Sequence, residues 1–396
     1  MKKPLRIGRS PHGMTTIRGR IVTPHAIRRG VLMIEEGRIR EIADDMAQLT
    51  DYDFGDALIV PGFIDVHLHG VGGYELHETS DILKAAAVQV RFGTTAFLPT
   101  SASLTEEGYI AFGRNVREAR SVASEDCAEI VGAHFEGPFI NPVRKGGMRA
   151  EFLRAPSLAE CRRYLEAAGD AMALMTLSPE LEGAHEVIRE LCRHGVVVSI
   201  GHTDAAPEDL QSAIDAGARS VCHLFDTFDH PIQPRGVWPP TLIASVLAND
   251  ALSCEVICDM RHVLPEYVKI CARVLQPDRF IAITDSMLGA AMPPGEYAAA
   301  SGQRYHTHTG VARRCEDNVI VGSVLTMNRA FGNLVTTVGL DPCLAARFCA
   351  TNAAKLLGRG QEQGRIEPEM RADLAVLNAE FECVATFVQG RLAYKA

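Results

Sequence analysis

The sequence alternates short apolar runs with stretches of helical period eight times between residues 59 and 284. Each run is rich in apolar and β-branched residues, as buried strands are. The runs span residues 59–67, 94–99, 129–135, 172–177, 196–200, 220–222, 253–258 and 280–284. Alternating strands and helices predict a parallel sheet, and eight units predict an α/β fold with a TIM-like (β/α)8 barrel. A doubly wound open sheet is the alternative, but no GxGxxG motif follows the first run.

Both ends of the chain are rich in predicted strands. These lie at 16–22, 30–34, 38–42, 364–366, 375–377 and 386–391, while helices are predicted at 327–338 and 342–357 and an inserted hairpin within 296–321. The economical arrangement pairs the two ends with each other. We therefore predict a small β-sandwich domain from residues 1–57 and 358–396, beside a barrel domain from residues 58–357.

Composition excludes several classes of function. The net charge of −9 and the isoelectric point of about 5.9 provide no positive surface for nucleic acid. No apolar stretch approaches the roughly 20 residues of a membrane span, and the basic N-terminus has no apolar segment of a signal peptide behind it. The 11 cysteines are scattered without a CxxC pair, which is typical of buried thiols in a reducing compartment. We expect a cytoplasmic protein that binds neither nucleic acid nor membrane.

Metal-competent or acid–base residues stand at the ends of six of the eight predicted strands. They are His67, His69, Glu136, His202, His223, His262 and Asp285. His67 and His69 are two residues apart on a strand and therefore face one side. Barrel enzymes place their active sites at the carboxyl ends of the strands. Each residue taken singly could be an ordinary core or surface residue, but the set predicts a metal-dependent active site.

The residue types suggest roles within that site. Glu136, His202 and His223 are a ligand set for Zn²⁺ or Fe²⁺ that leaves a position open for water. His67 and His69 would complete a second site with Glu136 bridging, so one or two divalent ions are expected. The chain has no Lys between residues 145 and 269, so no lysine at the end of strand four can bridge two metals. Asp285 would shuttle the proton and His262 would contact the substrate carbonyl.

Seven motifs and the tail resemble the amidohydrolase superfamily and, more narrowly, the N-acetylglucosamine-6-phosphate deacetylases. They are PGFIDVHLHG at 61–70, HFEGPF at 134–139, SIGHT at 199–203, HLF at 223–225, DMRHV at 259–263, TD at 284–285, GS at 322–323 and DLAV at 373–376. The resemblance implies a distorted barrel with a β-sandwich from both termini and the metal ligands named above. It also implies Asp285 as catalytic base and acid, His262 as carbonyl contact, and a homodimer.

The chain departs from these deacetylases at the substrate end. They usually carry Asn-Ala-Met after the strand-six His-Leu-aromatic motif, where this chain has Asp226, Thr227 and Phe228. A carboxylate at that position repels a phosphate. Arg235, Arg261 and Trp238 are candidate substrate contacts in the neighbouring loops, with ordinary loop surface as the equal alternative.

The resemblance implies a metal-dependent deacetylase that hydrolyses the N-acetyl amide of an amino sugar, most simply N-acetylglucosamine-6-phosphate. Because of Asp226, a different substrate remains open: N-acetylgalactosamine-6-phosphate, a non-phosphorylated amino sugar or an N-acyl amino acid. A cyclic-amide hydrolase or deaminase is disfavoured by the missing lysine and by the Glu136 motif. A non-catalytic binding protein is the alternative of another class, although the chain retains every ligand.

Overall fold

The computed structural model describes residues 13–45, 50–228, 240–275, 277–299 and 302–396. The described part of the chain begins with four strands that belong to one sheet. They are β1 (Met14–Val22), β2 (Ile27–Glu35), β3 (Arg38–Asp44) and β4 (Tyr52–Pro61). β4 runs parallel to β1 and continues to Pro61. Residues 59–61 therefore pair in this sheet, although they were predicted as the start of the first barrel strand.

Gly62 separates β4 from the barrel. A Cβ at this glycine would lie 2.3 Å from the side chain of Thr95, so only glycine allows the chain to pass there without displacing Thr95. The apolar run looked continuous in sequence because both segments are buried. The backbone breaks between them, and the barrel starts at Phe63.

Eight parallel strands form a nearly closed barrel, which confirms the predicted fold class. The middle strands in chain order are β5 (Phe63–Leu68), β6 (Gly70–Val71), β7 (Tyr74–Glu75), β8 (Thr94–Ser101), β9 (Glu129–Ile130), β10 (Ala133–Glu136), β11 (Met172–Leu177), β12 (Val197–Ile200), β13 (Ser220–Val221), β14 (Ser253–Ile257) and β15 (Phe280–Ile283). The barrel order is β5-β8-β10-β11-β12-β13-β14-β15. A parallel bridge between Leu68 and Ser286 joins the first strand to the last at the carboxyl end.

Helices cover the barrel between its strands. They are α1 (Thr79–Gln89), α2 (Glu106–Val122), α3 (Leu158–Ala168), α4 (Ala184–Arg193), α5 (Pro207–Ala216), α6 (Leu242–Ala248), α7 (Pro265–Val274), α8 (Met327–Asn333), α9 (Pro342–Ala346) and α10 (Asn352–Leu356). Side chains cap several amino termini: Thr105 accepts from Gly108 N at α2, and Ser157 accepts from Glu160 N at α3. Both predicted C-terminal helices contain a π-helical segment, at Leu334–Val338 and Arg347–Thr351.

The segment after the eighth barrel strand forms a small antiparallel sheet of its own. Its strands are β16 (Glu296–Ala298), β17 (Arg304–His308), β18 (Val311–Arg314) and β19 (Ile320–Ser323). A hairpin was predicted here, and the structure extends it to four strands. The backbone N–H of Ser323 donates to the carbonyl of Asp285 at 2.8 Å, which ties this sheet to the end of β15.

The C-terminal strands complete the first sheet, as predicted for the two ends of the chain. They are β20 (Leu374–Leu377), β21 (Cys383–Val388) and β22 (Arg391–Lys395), and the order is β22-β21-β20-β4-β1-β2-β3. Two predicted strands were wrong. Residues 386–391 form a hairpin because Gln389 and Gly390 both have positive φ. Residues 364–366 form no strand, since Gly364 turns the chain with a φ of +92°.

Residues from both halves of this sheet share one buried core, so the sheet curls over itself into the predicted sandwich. Ile34 on β2 and Phe387 on β21 both belong to that core. Gly390 lies against Ile34, since a Cβ there would be 2.8 Å from its Cγ2. Among the described residues, no helix has the length and apolarity needed to cross a bilayer.

Candidate metal centre

The predicted site residues converge at the carboxyl ends of the barrel strands. A cavity of about 450 Å³ opens above them and is lined by His69, Glu136, His202, His223 and Asp285, among others. Glu136 is the last residue of β10, while His202 and His223 each follow their strand by two residues. The strand ends therefore deliver side chains from distant parts of the sequence into one space.

Glu136, His202 and His223 form the tightest group. Glu136 Oε1 lies 3.1 Å from His202 Nε2 and 3.0 Å from His223 Nε2, and the two Nε2 atoms are 3.1 Å apart. His202 Nδ1 donates to the carbonyl oxygen of Arg144 at 2.9 Å, so in the neutral ring its Nε2 carries the lone pair. Two imidazole nitrogens and one carboxylate oxygen therefore point at one another.

This donor set fits a divalent ion. Nitrogen and oxygen ligands lie about 2.0–2.1 Å from Zn²⁺, which sets tetrahedral ligands about 3.3 Å apart. The three observed separations of 3.0–3.1 Å are within a few tenths of an ångström of that value. Two facing imidazole lone pairs repel each other unless a proton or a cation lies between them. The arrangement therefore suits a cation at the centre of the three atoms.

A second donor set lies beside the first. His69 Nε2 is 3.4 Å from Glu136 Oε2 and 3.3 Å from Asp285 Oδ1, while His67 Nε2 is 3.4 Å from Glu136 Oε1. His67 Nε2 is buried and has no hydrogen-bond partner. Glu136 thus turns one oxygen toward His202 and His223 and the other toward His69. This is the geometry that a bridging carboxylate needs.

The charged groups of the centre shift one another's pKa. Burial lowers the pKa of His69, but hydrogen bonds to Asp285 and Glu136 outweigh it and raise the pKa to about 9. Burial raises the pKa of Asp285, yet the hydrogen bond with His69 and the charge of His67 hold it below its ordinary value. Burial acts on Glu136 in the same way, and the surrounding imidazoles bring its pKa well below the usual range. Both carboxylates are therefore ionised at neutral pH, the form that binds cations.

Three residues of the centre have strained backbones. His202, His223 and Asp285 have φ angles of +50°, +21° and +48°. Such conformations cost a non-glycine residue on the order of 1–3 kcal/mol and cluster at functional sites. Here each one lies two residues after its strand and lines the cavity at the carboxyl end of the barrel.

Two buried neighbours of the centre were not predicted from the sequence. Glu255 Oε2 accepts a hydrogen bond from His67 Nδ1 at 2.9 Å, and His134 is held by the carbonyl of Val66 and the hydroxyl of Thr176. Glu255 interrupts the apolar strand β14, and an acidic residue inside a buried strand was the available signal. His134 gave no separate signal beyond its place in the HFEGPF motif.

His262 follows β14 and lies within electrostatic range of Asp285 and Asp226. Its Nδ1 donates to Asp259 Oδ2 at 2.6 Å, while its Nε2 is buried without a partner. Burial lowers the pKa of His262, but the Asp259 carboxylate outweighs it and raises the pKa above the ordinary value. Arg261 is exposed on the same loop. His262 therefore has one buried nitrogen without a hydrogen-bond partner, whereas Arg261 lies on the surface.

The predicted substrate contacts divide into two groups. Asp226 and Thr227 line the cavity. Arg235 and Trp238 lie outside the described residues. The described residues that line the cavity include no lysine or arginine and carry six carboxylates, those of Glu75, Glu78, Asp81, Glu136, Asp226 and Asp285. This part of the cavity is acidic even when the two carboxylates of the metal centre are set aside.

Comparison with known proteins identifies the family. The profile of the amidohydrolase family matches residues 58–393. The chain belongs to the amidohydrolase family. Among relatives of this amidohydrolase, the N-acetylglucosamine-6-phosphate deacetylase of Bacillus subtilis is 30% identical over 387 residues, covering 94% of this chain and 95% of the relative. The N-acetylgalactosamine-6-phosphate deacetylase of Escherichia coli O157:H7 is 29% identical over 366 residues, covering 91% and 94%.

Solved structures support the assignment of the chain to the amidohydrolase family. A mutant N-acetyl-D-glucosamine-6-phosphate deacetylase from Mycobacterium smegmatis, in complex with N-acetyl-D-glucosamine-6-phosphate, superposes with a TM-score of 0.88 at 28% identity. The match covers 97% of this chain and all of that one. The corresponding enzyme from Thermotoga maritima superposes with a TM-score of 0.85 at 26% identity, covering 97% and 100%. The resemblance read from the motifs is confirmed.

Proposed function

We propose that this amidohydrolase is a divalent-metal-dependent deacetylase that hydrolyses the N-acetyl amide of an amino sugar, with N-acetylglucosamine-6-phosphate as the leading substrate. The observation that carries the proposal is the convergence of Glu136, His202 and His223 within 3.1 Å of one another at the floor of an open cavity. Asp285, an ionised carboxylate, stands beside them. Relatives of both phosphorylated amino sugar types at about 30% identity support the substrate class.

Glu136, His202 and His223 would hold one ion, and His67 and His69 with Glu136 would hold a second. Nitrogen and carboxylate ligands favour zinc or iron. A bound ion of this kind makes water a nucleophile near neutral pH and polarises an acyl oxygen. These two effects are what amide hydrolysis needs, because both the attacking water and the amide are otherwise unreactive.

Asp285 is the proposed proton carrier. Its pKa is held below the ordinary value, so its Oδ1 is ready to accept a proton from the attacking water. The same carboxyl group then delivers that proton to the amide nitrogen, because an amine leaves only when protonated. His69 Nε2 lies 3.3 Å from this oxygen, so the carboxylate stands beside the second donor set.

His262 is the proposed contact for the acyl oxygen. Asp259 holds its Nδ1, and its raised pKa favours the protonated ring. The buried Nε2–H is then a donor without a partner. Such a donor stabilises the negative charge that develops on the acyl oxygen as water adds to the carbonyl.

A non-phosphorylated N-acetyl amino sugar is the second candidate substrate. The acidic cavity lining favours it, since a phosphate dianion placed near Asp226, Asp81 and Glu78 would be repelled. Arginine or lysine outside the described residues would have to compensate for that repulsion. The phosphorylated substrate stays first because the relatives that match over the whole chain act on phosphorylated sugars.

A homodimer in the cytoplasm completes the proposal. Tyr267, Ile270 and Val274 form an apolar face on α7 with helical spacing, and Leu264 extends it, all between 44% and 54% exposed. Such a face is typical of a surface that pairs with another chain. All 11 cysteines are free, which suits a reducing compartment. Light scattering of the purified protein would test the dimer.

Acetate release tests the function directly. Metal-free protein reloaded with Zn²⁺ or Fe²⁺ is incubated with N-acetylglucosamine-6-phosphate, N-acetylgalactosamine-6-phosphate, N-acetylglucosamine and an N-acetyl amino acid. We expect acetate from at least one amino sugar, only in the metal-loaded protein, and fastest from N-acetylglucosamine-6-phosphate. Faster turnover of the non-phosphorylated sugar would select the second candidate. No release from any of them by metal-loaded protein would favour a binding protein.

A further inference from the structure

Cys222 lies inside the metal centre and is not part of the ligand set proposed above. It follows β13 directly, precedes His223, and is completely buried. Its Sγ is 3.5 Å from His67 Nδ1 and 3.8 Å from Glu136 Oε1. The thiol therefore touches one residue from each of the two donor sets.

The surroundings of Cys222 differ from those of other buried thiols in the chain. The thiols of Cys254, Cys258 and Cys383 each lie near a backbone carbonyl two residues away in the chain, at 3.3–4.0 Å. These are contacts of ordinary core cysteines. Cys222 instead contacts an imidazole and a carboxylate that belong to the centre.

A hydrogen bond to His67 does not explain the position of the Cys222 thiol. His67 Nδ1 already donates to Glu255 Oε2 at 2.9 Å, so it has no lone pair left for the S–H of Cys222. The other nitrogen, Nε2, is fully buried and has no partner. A ligand atom from each of His67, Glu136, Cys222 and His223 lies within 4.8 Å of all the others.

We propose that Cys222 is a thiolate ligand of the metal centre, together with Glu136 and His223. At tetrahedral angles, a metal–sulfur bond of about 2.3 Å and a metal–oxygen bond of about 2.0 Å set the sulfur and oxygen about 3.5 Å apart. The observed 3.8 Å needs a movement of only a few tenths of an ångström. Binding replaces the S–H bond by a sulfur–metal bond, and the proton leaves to solvent.

A thiolate changes which metal the centre selects. Sulfur ligands favour zinc, iron and other thiophilic ions over Mg²⁺ and Mn²⁺, which prefer oxygen. We therefore expect the protein to retain zinc or iron against a large excess of Mg²⁺. The inference rests on the metal centre of the proposed function, but it concerns ligation, and its test does not depend on turnover.

X-ray absorption at the zinc edge tests the ligand in the intact, zinc-loaded protein. We expect a sulfur neighbour at about 2.3 Å. The proposal is overturned if nitrogen and oxygen neighbours alone account for the zinc-edge spectrum of the wild-type protein. This result needs no variant. Acetate release measured on the same sample separates the two proposals: sulfur without turnover contradicts only the function, and turnover without sulfur contradicts only Cys222.

Two matched variants locate the sulfur. Cys222→Ser should lose the sulfur neighbour, whereas Cys254→Ser, at a buried thiol bonded to a backbone carbonyl, should keep it. Cobalt loading gives a second reading, because a thiolate–cobalt bond adds a charge-transfer band in the near ultraviolet. That band should be present in the wild type and in Cys254→Ser and absent from Cys222→Ser. A sulfur signal that survives in folded Cys222→Ser would assign it elsewhere and overturn the proposal.

Discussion

Glu255 and His67 are joined by a hydrogen bond of 2.9 Å between two completely buried side chains. Because the carboxylate can only accept, the Nδ1 of His67 carries the proton, and in the neutral ring the Nε2 keeps its lone pair. That nitrogen lies 3.4 Å from Glu136 Oε1. Metal-ligating histidines commonly have such an outer carboxylate, which fixes the tautomer and the ring orientation. We therefore infer that Glu255 positions His67 for the proposed second metal site.

Replacing Glu255 should weaken metal binding without touching a ligand. We expect Glu255→Gln to lower the affinity for the second ion by about 10- to 100-fold, measured by competition with a chromogenic chelator. Glu160→Gln is the matched control. Glu160, on the outer helix α3, is also a buried carboxylate, but it pairs with Arg154 instead of a histidine. Unchanged affinity in Glu255→Gln, with a normal circular dichroism spectrum, would show that His67 does not depend on Glu255.

Asp285 should be essential for turnover but dispensable for metal retention by the first site. Asp285→Asn keeps the shape of the side chain and removes its ability to take up a proton. We expect kcat to fall by about 10²- to 10⁴-fold, while metal analysis still finds an ion held by Glu136, His202 and His223. Asp278→Asn, which alters a carboxylate paired with Arg347 and Lys355 far from the cavity, should turn over normally. Near-normal kcat in Asp285→Asn with metal bound would refute the proton-carrier role.

The overall architecture could be predicted because it depends on local periodicity. Seven of the runs that alternate with helices coincide with barrel strands to within a few residues, and β11 matches its predicted bounds. The first run was too long because burial is equally strong on both sides of Gly62. The hairpin at Gln389 was missed because its left-handed backbone is not marked by a glycine at that position. The pattern of apolar residues indicates which segments are buried, but it does not indicate where the backbone turns.

Only the site residues at the ends of predicted strands could be predicted from the sequence. The rule that barrel sites lie at carboxyl ends selected Glu136, His202, His223 and Asp285, and the structure brings all of them together. Glu255 was missed because its partner His67 is 188 residues away and the residue lies within a strand. Cys222 was assigned to the core because a single cysteine in an apolar run gives no sign of its neighbours. Pairings across the barrel are set by strand order, which sequence alone does not show.

The two histidine sets should differ in how strongly they hold metal. His202 is nearly buried and part of the tight group, whereas the side chain of His69 is 13% exposed and its closest carboxylate oxygen is 3.3 Å away. We expect His202→Ala to lose bound metal on dialysis together with activity. His69→Ala should lose at most one ion per chain. Elemental analysis after dialysis checks both. Complete metal loss in His69→Ala would reverse this order of the sites.

The pH dependence of turnover should report the pairing of His262 with Asp259. The Asp259 carboxylate stabilises the charged imidazole and so raises the pKa of His262 against the opposing effect of burial. If the protonated ring holds the acyl oxygen, kcat/KM falls as pH rises through this raised pKa. Asp259→Asn removes the charge, lowers the pKa of His262, and should move the fall of kcat/KM to lower pH. An alkaline limb at the same pH in the variant would mean that another group controls it.

Asp226 should discriminate against the 6-phosphate. It lines the cavity at the position where the resemblance read from the motifs leads us to expect asparagine. A carboxylate about 4 Å from a charge interacts with about 1 kcal/mol in water and several times more in a shielded site. We therefore expect Asp226→Asn to raise kcat/KM for N-acetylglucosamine-6-phosphate by about five- to tenfold or more, and to leave that for N-acetylglucosamine nearly unchanged. Asp250→Asn, at a carboxylate that is 99% exposed and outside the cavity, is the control and should change neither value. A loss for both sugars in Asp226→Asn would instead show that this carboxylate accepts a hydrogen bond from the sugar itself, as a site shaped for a non-phosphorylated substrate would require.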